Sequence, residues 1–357
     1  MPRPYQQPGL QISQEAPGDP VLVRALQRDL RALGYLGRGI DGAFGDGTRR
    51  ALRSLQYDLL YNRGQSSGGD GNAPMAIADF NGLAQSGGGA AVTAINGVLD
   101  QDLAACIDRI LTSPAITPLP ESADPAAQNA AAMQAIRAMT GQPAPAPFIA
   151  AMVRQESGGQ HFRVPTPSDH DSFITVGLDR NDRQQPDRIT SRGYGIGQYT
   201  LFHHPPRAPE VQDIMLDPVR NVSKAFAELR QKFDRYVAGP DDHADDRAEE
   251  HALLPLRLCR FQPNDTRYMR DCAACAAAAG KLEVRRGTPA YAGASLRYQP
   301  DQYYPSASYS GVPNRADFLC DWPYAARRYN GSGNDSFHYQ TRILLNLLQE
   351  QSGGKPT

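Results

Sequence analysis

The 357-residue chain has no excess of either charge: 37 Lys and Arg stand against 38 Asp and Glu, a formal net charge of −1. Without a basic field to displace counterions from a phosphate backbone, nucleic acid is excluded as the general partner. No apolar run approaches the ~20 residues that a membrane-crossing helix needs, so insertion into a bilayer is excluded as well. The amino terminus, Met1-Pro2-Arg3-Pro4-Tyr5-Gln6-Gln7-Pro8, has neither a basic-then-apolar layout nor a small-residue cleavage site, and does not read as a secretory signal. At 40% hydrophobic and 21% charged, a chain of this length reads as globular, with material for two domains that each bury a core.

Cysteine is also sparse, and four of the five lie in the carboxyl half. Three arrangements of Cys259, Cys272, Cys275 and Cys320 stay open. They can form two disulfides with Cys106 left over, as in an oxidising envelope. They can be small buried thiols, since Asp271 to Ala279 reads as an Ala-rich helix. They can also hold zinc, for which Cys272 and Cys275 have ligand-like spacing while Cys259 and Cys320 do not form a second close pair. No metal and no cofactor is expected for the chain's activity.

What is present begins at Asp19-Pro20, a capping side chain followed by a residue with preset φ, after which Leu22, Leu26, Leu30 and Leu33 run down one helix face to Gly34. A Gly-rich link from Tyr35 to Thr48 leads into a second helix with Ala51, Leu52, Leu55 and Leu59 on one side. From Val23 to Gln56 the chain carries Leu-Gln, Leu-Gly-Tyr, Asp-Gly-x-Phe-Gly and a Thr before an Ala-Leu helix, and it resembles the peptidoglycan-binding module. The resemblance implies a compact three-helix bundle that binds the bacterial wall, with Tyr35, Asp41, Phe44 and Thr48 as its characteristic residues. Gly64 to Gly89 reads as a polar inserted loop, and Leu99, Leu103, Ile107 and Ile110 as one more amphipathic helix. The module is thus expected over residues 17–112, with a stiff Pro-rich joint at 113–125.

The stretch Phe148-Ile149-Ala150-Ala151-Met152-Val153-Arg154-Gln155-Glu156-Ser157-Gly158-Gly159 reads as a helix that stacks Glu156 over Phe148 and Met152. A carboxyl on the apolar face loses hydration of its charged form, which suits it to act as a general acid. The Gly pair ends the helix just beyond it. Further on stand Gly193-Tyr194-Gly195-Ile196-Gly197-Gln198-Tyr199, then Ala325-Ala326-Arg327-Arg328-Tyr329-Asn330-Gly331, then Tyr339. A Glu-Ser helix end, a Gly-Ile-Gly-Gln turn, an Ala-x-x-Tyr-Asn-Gly helix end and a following tyrosine, in that order, resemble the lysozyme-like soluble lytic transglycosylases from roughly Ala126 to Gln349.

That resemblance implies a mainly α chain, with a lysozyme-like α-rich catalytic domain at 126–352 after the bundle. It implies Glu156 as catalytic acid/base, Ser157, Gln198 and Tyr199 contacting the glycan, Tyr329 and Asn330 lining the cleft, and Tyr339 fixing the glutamate. The reaction implied is cleavage of the β-1,4 MurNAc-GlcNAc bond with closure of a 1,6-anhydro ring by the same glutamate. Two long segments depart from the family pattern: residues 160–190, holding Asp169, Asp171, Asp179, Asp182 and Asp187, and an insert at about 239–315. The first is expected to border the cleft.

Two other readings stay open. One is a hydrolytic muramidase that takes its second carboxylate from an aspartate of 169–187. The other is a wall-binding protein with an inactive lysozyme-like half. Glycan strands are the expected partner, acting in the wall or periplasm, and without a leader the chain is expected to travel by a non-classical or phage-associated route. A delivery machine or an immunity protein is a further partner this route allows. Elsewhere, Asn221 is expected to cap a helix carrying Val222, Phe226, Leu229, Phe233 and Tyr236. His203-His204-Pro205-Pro206 reads as a surface turn rather than a metal site, and Gly193-x-Gly195-x-Gly197 lacks the strand-before, helix-after context of a phosphate loop.

Overall fold

A computed structural model describes residues 3–86, 91–139 and 146–232, together with Ala326, Tyr329, Tyr339, Arg342, Ile343, Asn346, Leu347 and Glu350. Outside the described residues lie Cys259, Cys272, Cys275 and Cys320, Asn330, the insert at 239–315, and Phe233 and Tyr236. Packing divides the chain into two units, Met1–Ala130 with Gln160–Asn221, and Ala131–Gly159 with Val222–Thr357.

In the first unit, α1 (Pro20–Ala32) starts where Asp19 accepts from Val21 N at 2.7 Å, with Pro20 in the first turn. Its buried stripe is Val23, Leu26 and Leu30, with Leu33 just past the end, while Leu22 is half-buried against the core edge. The chain turns at Gly34, φ +74°. Helix α2 (Asp46–Tyr61) buries Ala51, Leu52, Leu55 and Leu59 against α1. The expected bundle of three helices is extended to four, α1, α2, α3 (Ile77–Ser86) and α4 (Gln101–Thr112), around one core. Helix α3 lies inside the stretch expected to be an inserted loop: Ile77 and Phe80 are buried, and the surrounding Gly, Ser and Asp residues mask that two-residue apolar anchor in the composition. Asp100 caps α4 through Leu103 N at 2.9 Å, and the fully buried Cys106 sits in its apolar face.

Residues 113–125 pack rather than span a gap. Ile116 and Leu119 are buried, Leu119 N donates to Ala32 O at 2.8 Å, and Ser122 N to Ser172 O at 2.9 Å. Prolines at 114, 118 and 120 remove donors that would otherwise need partners there.

The mainly α expectation also omits a three-stranded antiparallel sheet of β1 (Val176–Asp179), β2 (Ser191–Tyr194) and β3 (Tyr199–Leu201). Val176 pairs with Tyr194, and Tyr194 with Tyr199. The glycine series therefore does have a strand before it, but the next element is β3, a strand and not a helix, so a phosphate loop stays excluded. Helix α5 (Pro125–Arg137) leads out of the first unit. Asn129 near its start accepts from His161 N and Phe162 N, at 2.8 and 3.0 Å.

The second unit holds α6 (Ala146–Ser157), whose residues 148–153 are all buried, followed by Gly158 and Gly159 at φ +67° and +78°. Helix α7 (Ala208–Glu210) and a π-helical turn at Val211–Met215 lie in the first unit's second segment, which ends at Asn221 within α8 (Pro218–Ala225), and α9 (Ala227–Lys232) follows in the second unit. The expected helix start at Asn221 is corrected: α8 begins at Pro218 and Asn221 is fully buried inside it. Val222, Phe226 and Leu229 are fully buried, as core residues. No described helix is long and apolar enough to cross a membrane.

Candidate functional site

The second unit gathers a glutamate and two tyrosines. Burial along α6 gives way in its last turn, so Glu156 is half-buried with the Gly158-Gly159 break just beyond it. The Tyr339 hydroxyl donates to Glu156 Oε1 at 2.5 Å. Tyr329 lies beside Tyr339, ring centroids 6.4 Å apart, packs edge-on against Phe226 at 5.6 Å, and donates to Ala225 O at 3.3 Å. Burial first, then the charge of Glu156, pushes both phenols well above their usual range. Both therefore stay O–H donors at any working pH. Ser157, in contrast, turns its hydroxyl back to Val153 O at 3.0 Å.

Tyr339 is held from the same side as the rest of its helical neighbours. Tyr339, Arg342, Ile343, Asn346, Leu347 and Glu350 are helical in backbone and spaced three or four apart, so they share a face. Arg342 Nε donates to Gln155 Oε1 at 2.8 Å and Asn346 Nδ2 to Ala151 O at 3.1 Å, which lays this face along α6. Glu350, little exposed, accepts from Arg137 of α5 at 2.6 Å and pairs with Arg154 of α6. Burial raises the Glu350 carboxyl, but the two guanidiniums outweigh it and hold it below its usual range.

Gln198 and Tyr199 fall in the first unit. Gln198 adopts φ +52°, and its Nε2 donates to Gly195 O at 2.7 Å. Its carboxamide oxygen lies 2.5 and 3.0 Å from where a Cβ on Gly177 or Gly193 would stand, so the side chain packs here against two glycines and a larger residue at Gly177 would push it aside. The turn is fixed from behind. Ile196 N donates to His161 Nδ1 at 3.1 Å, Gly197 N to Asn221 Oδ1 at 2.7 Å, and Asn221 Nδ2 to Tyr194 O at 2.8 Å. Sequence reading missed His161 and Asn221 here, because nothing local marks a side chain that serves a turn 24 or more residues away.

Segment 160–190, expected as a wall of the cleft, is knit to the helical module within the first unit. Asp169 Oδ1 accepts from Ile40 N at 2.7 Å. Asp171 and Arg31 form a buried ion pair at 2.9 Å, too bent for a hydrogen bond. Asp179 accepts from Ser191 Oγ at 2.8 Å. Asp182 accepts from Gln184 N at 2.9 Å, and Asp187 grips Arg53 through both oxygens at 2.8 and 2.7 Å.

The module's characteristic residues also have visible duties. Gln27 Nε2 donates to Asp41 Oδ1, Ala43 O and Thr48 Oγ1 at 2.8, 3.0 and 3.1 Å, while its Oε1 accepts from Gly42 N at 2.8 Å. Gly42, φ +80°, cannot be replaced without shift, since a Cβ would meet Pro20 O at 2.8 Å. Phe44 and Thr48 are buried, and Tyr35, fully buried, donates to Asp58 Oδ2 at 2.8 Å. These residues build the loop, and of the four only Asp41 is exposed.

The His203-His204 pair is buried, not a surface turn. His203 Nδ1 lies 3.0 Å from Asp70 Oδ2 and Nε2 2.9 Å from Glu210 Oε2, and Arg207 also holds Glu210. Among the described residues no three His, Cys, Asp or Glu side chains are placed to hold a metal.

Residues 20–59 match the model of a family described as "Putative peptidoglycan binding domain". No curated protein and no solved structure matches the chain. The match supports peptidoglycan binding by α1, α2 and the Gln27-centred loop between them, and hence association with the wall.

Proposed function

We propose that the chain cleaves the β-1,4 MurNAc-GlcNAc bond of peptidoglycan without water, as a lytic transglycosylase, with Glu156 as the single acid/base. The observation that carries the reading is the Tyr339 hydroxyl on Glu156 Oε1, beside Tyr329, at the C-terminal end of α6. A catalytic carboxyl has to be held in one rotamer while it passes a proton, and a phenol that never ionises is a fixed donor for that purpose. Protonated Glu156 gives its proton to the leaving glycosidic oxygen. The substrate's N-acetyl group relieves the positive charge left at the sugar carbon. The Glu156 carboxylate then takes the proton of the sugar's 6-hydroxyl, which attacks that carbon and closes the 1,6-anhydro ring, returning the enzyme to its protonated form.

A hydrolase using an aspartate of 169–187 gains no support from the geometry: Asp169, Asp171, Asp179 and Asp187 fasten segments of the first unit, and Asp182 accepts from backbone N–H groups of its own loop. An inactive wall-binding protein has no use for a tyrosine-braced glutamate at a helix end. Mass spectrometry of muropeptides released from purified sacculi tests the proposal: anhydro ends support it, reducing ends favour the hydrolase, and no release favours the inactive form.

A further inference from the structure

Within the first unit, a cavity of about 170 Å³ opens where the last turn of α2 and the chain after it meet β2 and the Phe202–His204 turn. Most of its wall comes from residues outside the 20–59 match. Its floor is polar and buried: Asp58, Arg192, His203 and His204 are each at most 6% exposed. Arg192 donates through Nε to Gly34 O at 3.0 Å and stacks over the Tyr35 ring at 5.2 Å. Its Nη2 lies 3.6 Å from Asp58 Oδ2, too far for a hydrogen bond, and has no hydrogen-bond partner among the described residues. Asp58 Oδ2 already accepts from Tyr35. His204 Nδ1, also in the wall, has no such partner either. A buried donor left open on a guanidinium is costly unless a ligand completes it.

The balance of charge says which ligand. Arg63, Arg188 and Arg192 line the cavity with Asp58 as the carboxylate among them, and Asp182, outside the lining, faces Arg188 at 3.6 Å, so three guanidiniums stand against two carboxylates. Glu210 and Asp70 face the two ring nitrogens of His203, so that ring adds no uncompensated charge and the positive surplus in the wall is the arginines'. At the mouth, Tyr61 and Phe202 are 59% and 42% exposed. The volume is that of roughly six waters, room for the end of a small peptide rather than a glycan strand.

We propose that this cavity binds the free carboxylate end of a wall stem peptide, the carboxylate meeting Arg192 and the small side chains lying against Tyr61 and Phe202. The assignment rests on the peptidoglycan reading, which supplies a ligand of this chemistry. It adds a second hold on the wall, directed at the peptide rather than the sugar.

The full chain is titrated calorimetrically with N-acetyl-D-alanyl-D-alanine, its C-terminal amide and a chitooligosaccharide. The acid is expected to bind roughly ten- to a hundred-fold more tightly than the amide, the range for a charge-assisted hydrogen bond. The paired change Arg63→Gln and Arg188→Gln, both at partly or fully exposed positions, should weaken the acid at least about tenfold and leave the melting curve in place. Equal binding of acid and amide, no binding of the acid, or an indifferent double variant overturns the proposal. Sedimentation with sacculi separates the two claims. A chain that sediments yet ignores the acid removes the cavity and keeps wall binding, whereas a chain that binds the acid but not sacculi keeps the cavity and removes the wall reading.

Discussion

The two units use carboxylates for opposite purposes. In the first, Asp171 and Asp187 each face a guanidinium, Asp169 a backbone N–H, and Asp179 a serine hydroxyl, so negative charge is spent on fastening a long polar segment to the helical module. In the second, Glu156 takes a phenolic hydroxyl at the end of a helix. A guanidinium fixes a carboxylate in its charged form, which is suited to structure and unsuited to passing a proton. A phenol orients the same group without supplying a positive charge. Glu350 makes the contrast inside the second unit itself: two arginines hold it ionised, three helical turns from Tyr339. The first unit's carboxylates act as fasteners, whereas Glu156 takes one of its contacts from a phenol that brings no charge of its own.

The largest effect expected is on Glu156. Glu156→Gln keeps the shape and the hydrogen bond from Tyr339 but cannot cycle a proton, so wall lysis should fall by roughly a hundred-fold or more, with wall sedimentation and the melting curve retained. Activity near that of the parent would remove Glu156 from the chemistry and with it the contrast. Next is Asp171→Asn, which leaves Arg31 buried and uncompensated. It should cost about 3–5 kcal/mol of stability, against under about 1 kcal/mol for Asp182→Asn at a partly exposed pair. Denaturant melts of the two variants side by side decide this, and matched losses would mean that the Arg31 pair does no fastening.

Much of this was legible locally and some was not. Asp19-Pro20, the leucine stripe and Gly34 announce α1, because capping and helix periodicity are short-range, and the Glu156 helix is visible for the same reason. The antiparallel sheet is hidden. Its central strand reads Ser-Arg-Gly-Tyr with Arg192 buried, and it makes sense only once Gly34 O, 158 residues away, accepts from that side chain. Asp171 looks like a candidate second carboxylate until Arg31 is found against it. His203 looks like a turn residue until Asp70 and Glu210 close on either side of its ring. What sequence conceals here is the identity of distant polar partners.

Two smaller effects sharpen the comparison. Tyr339→Phe removes the brace and keeps the packing, so kcat should fall by roughly three- to ten-fold, the scale of one net hydrogen bond, with KM nearly unchanged in single-turnover and steady-state assays on soluble glycans. An unchanged kcat would reduce Tyr339 to a packing residue. In the first unit, burial lowers the His161 pKa to about 4, and Nδ1 accepts from Ile196 N, so protonation sets donor against donor. The unfolded chain, with a histidine near 6.5, takes the proton first. The stability His161 contributes is therefore present above pH 6.5 and is lost as pH falls from 6.5 toward 4. Melting temperatures from pH 7 to pH 4 should drop, and the slope should flatten in His161→Gln; a parallel slope in that variant would assign the acid sensitivity elsewhere.

The central claim, that one phenol-braced glutamate does the acid/base work without a second catalytic carboxylate from 169–187, is tested most directly by digesting purified sacculi with the parent chain and identifying the end groups of the released muropeptides. The account predicts 1,6-anhydroMurNAc ends that disappear with Glu156→Gln. Reducing MurNAc ends, together with a folded aspartate variant of 169–187 that has lost all activity, would contradict it.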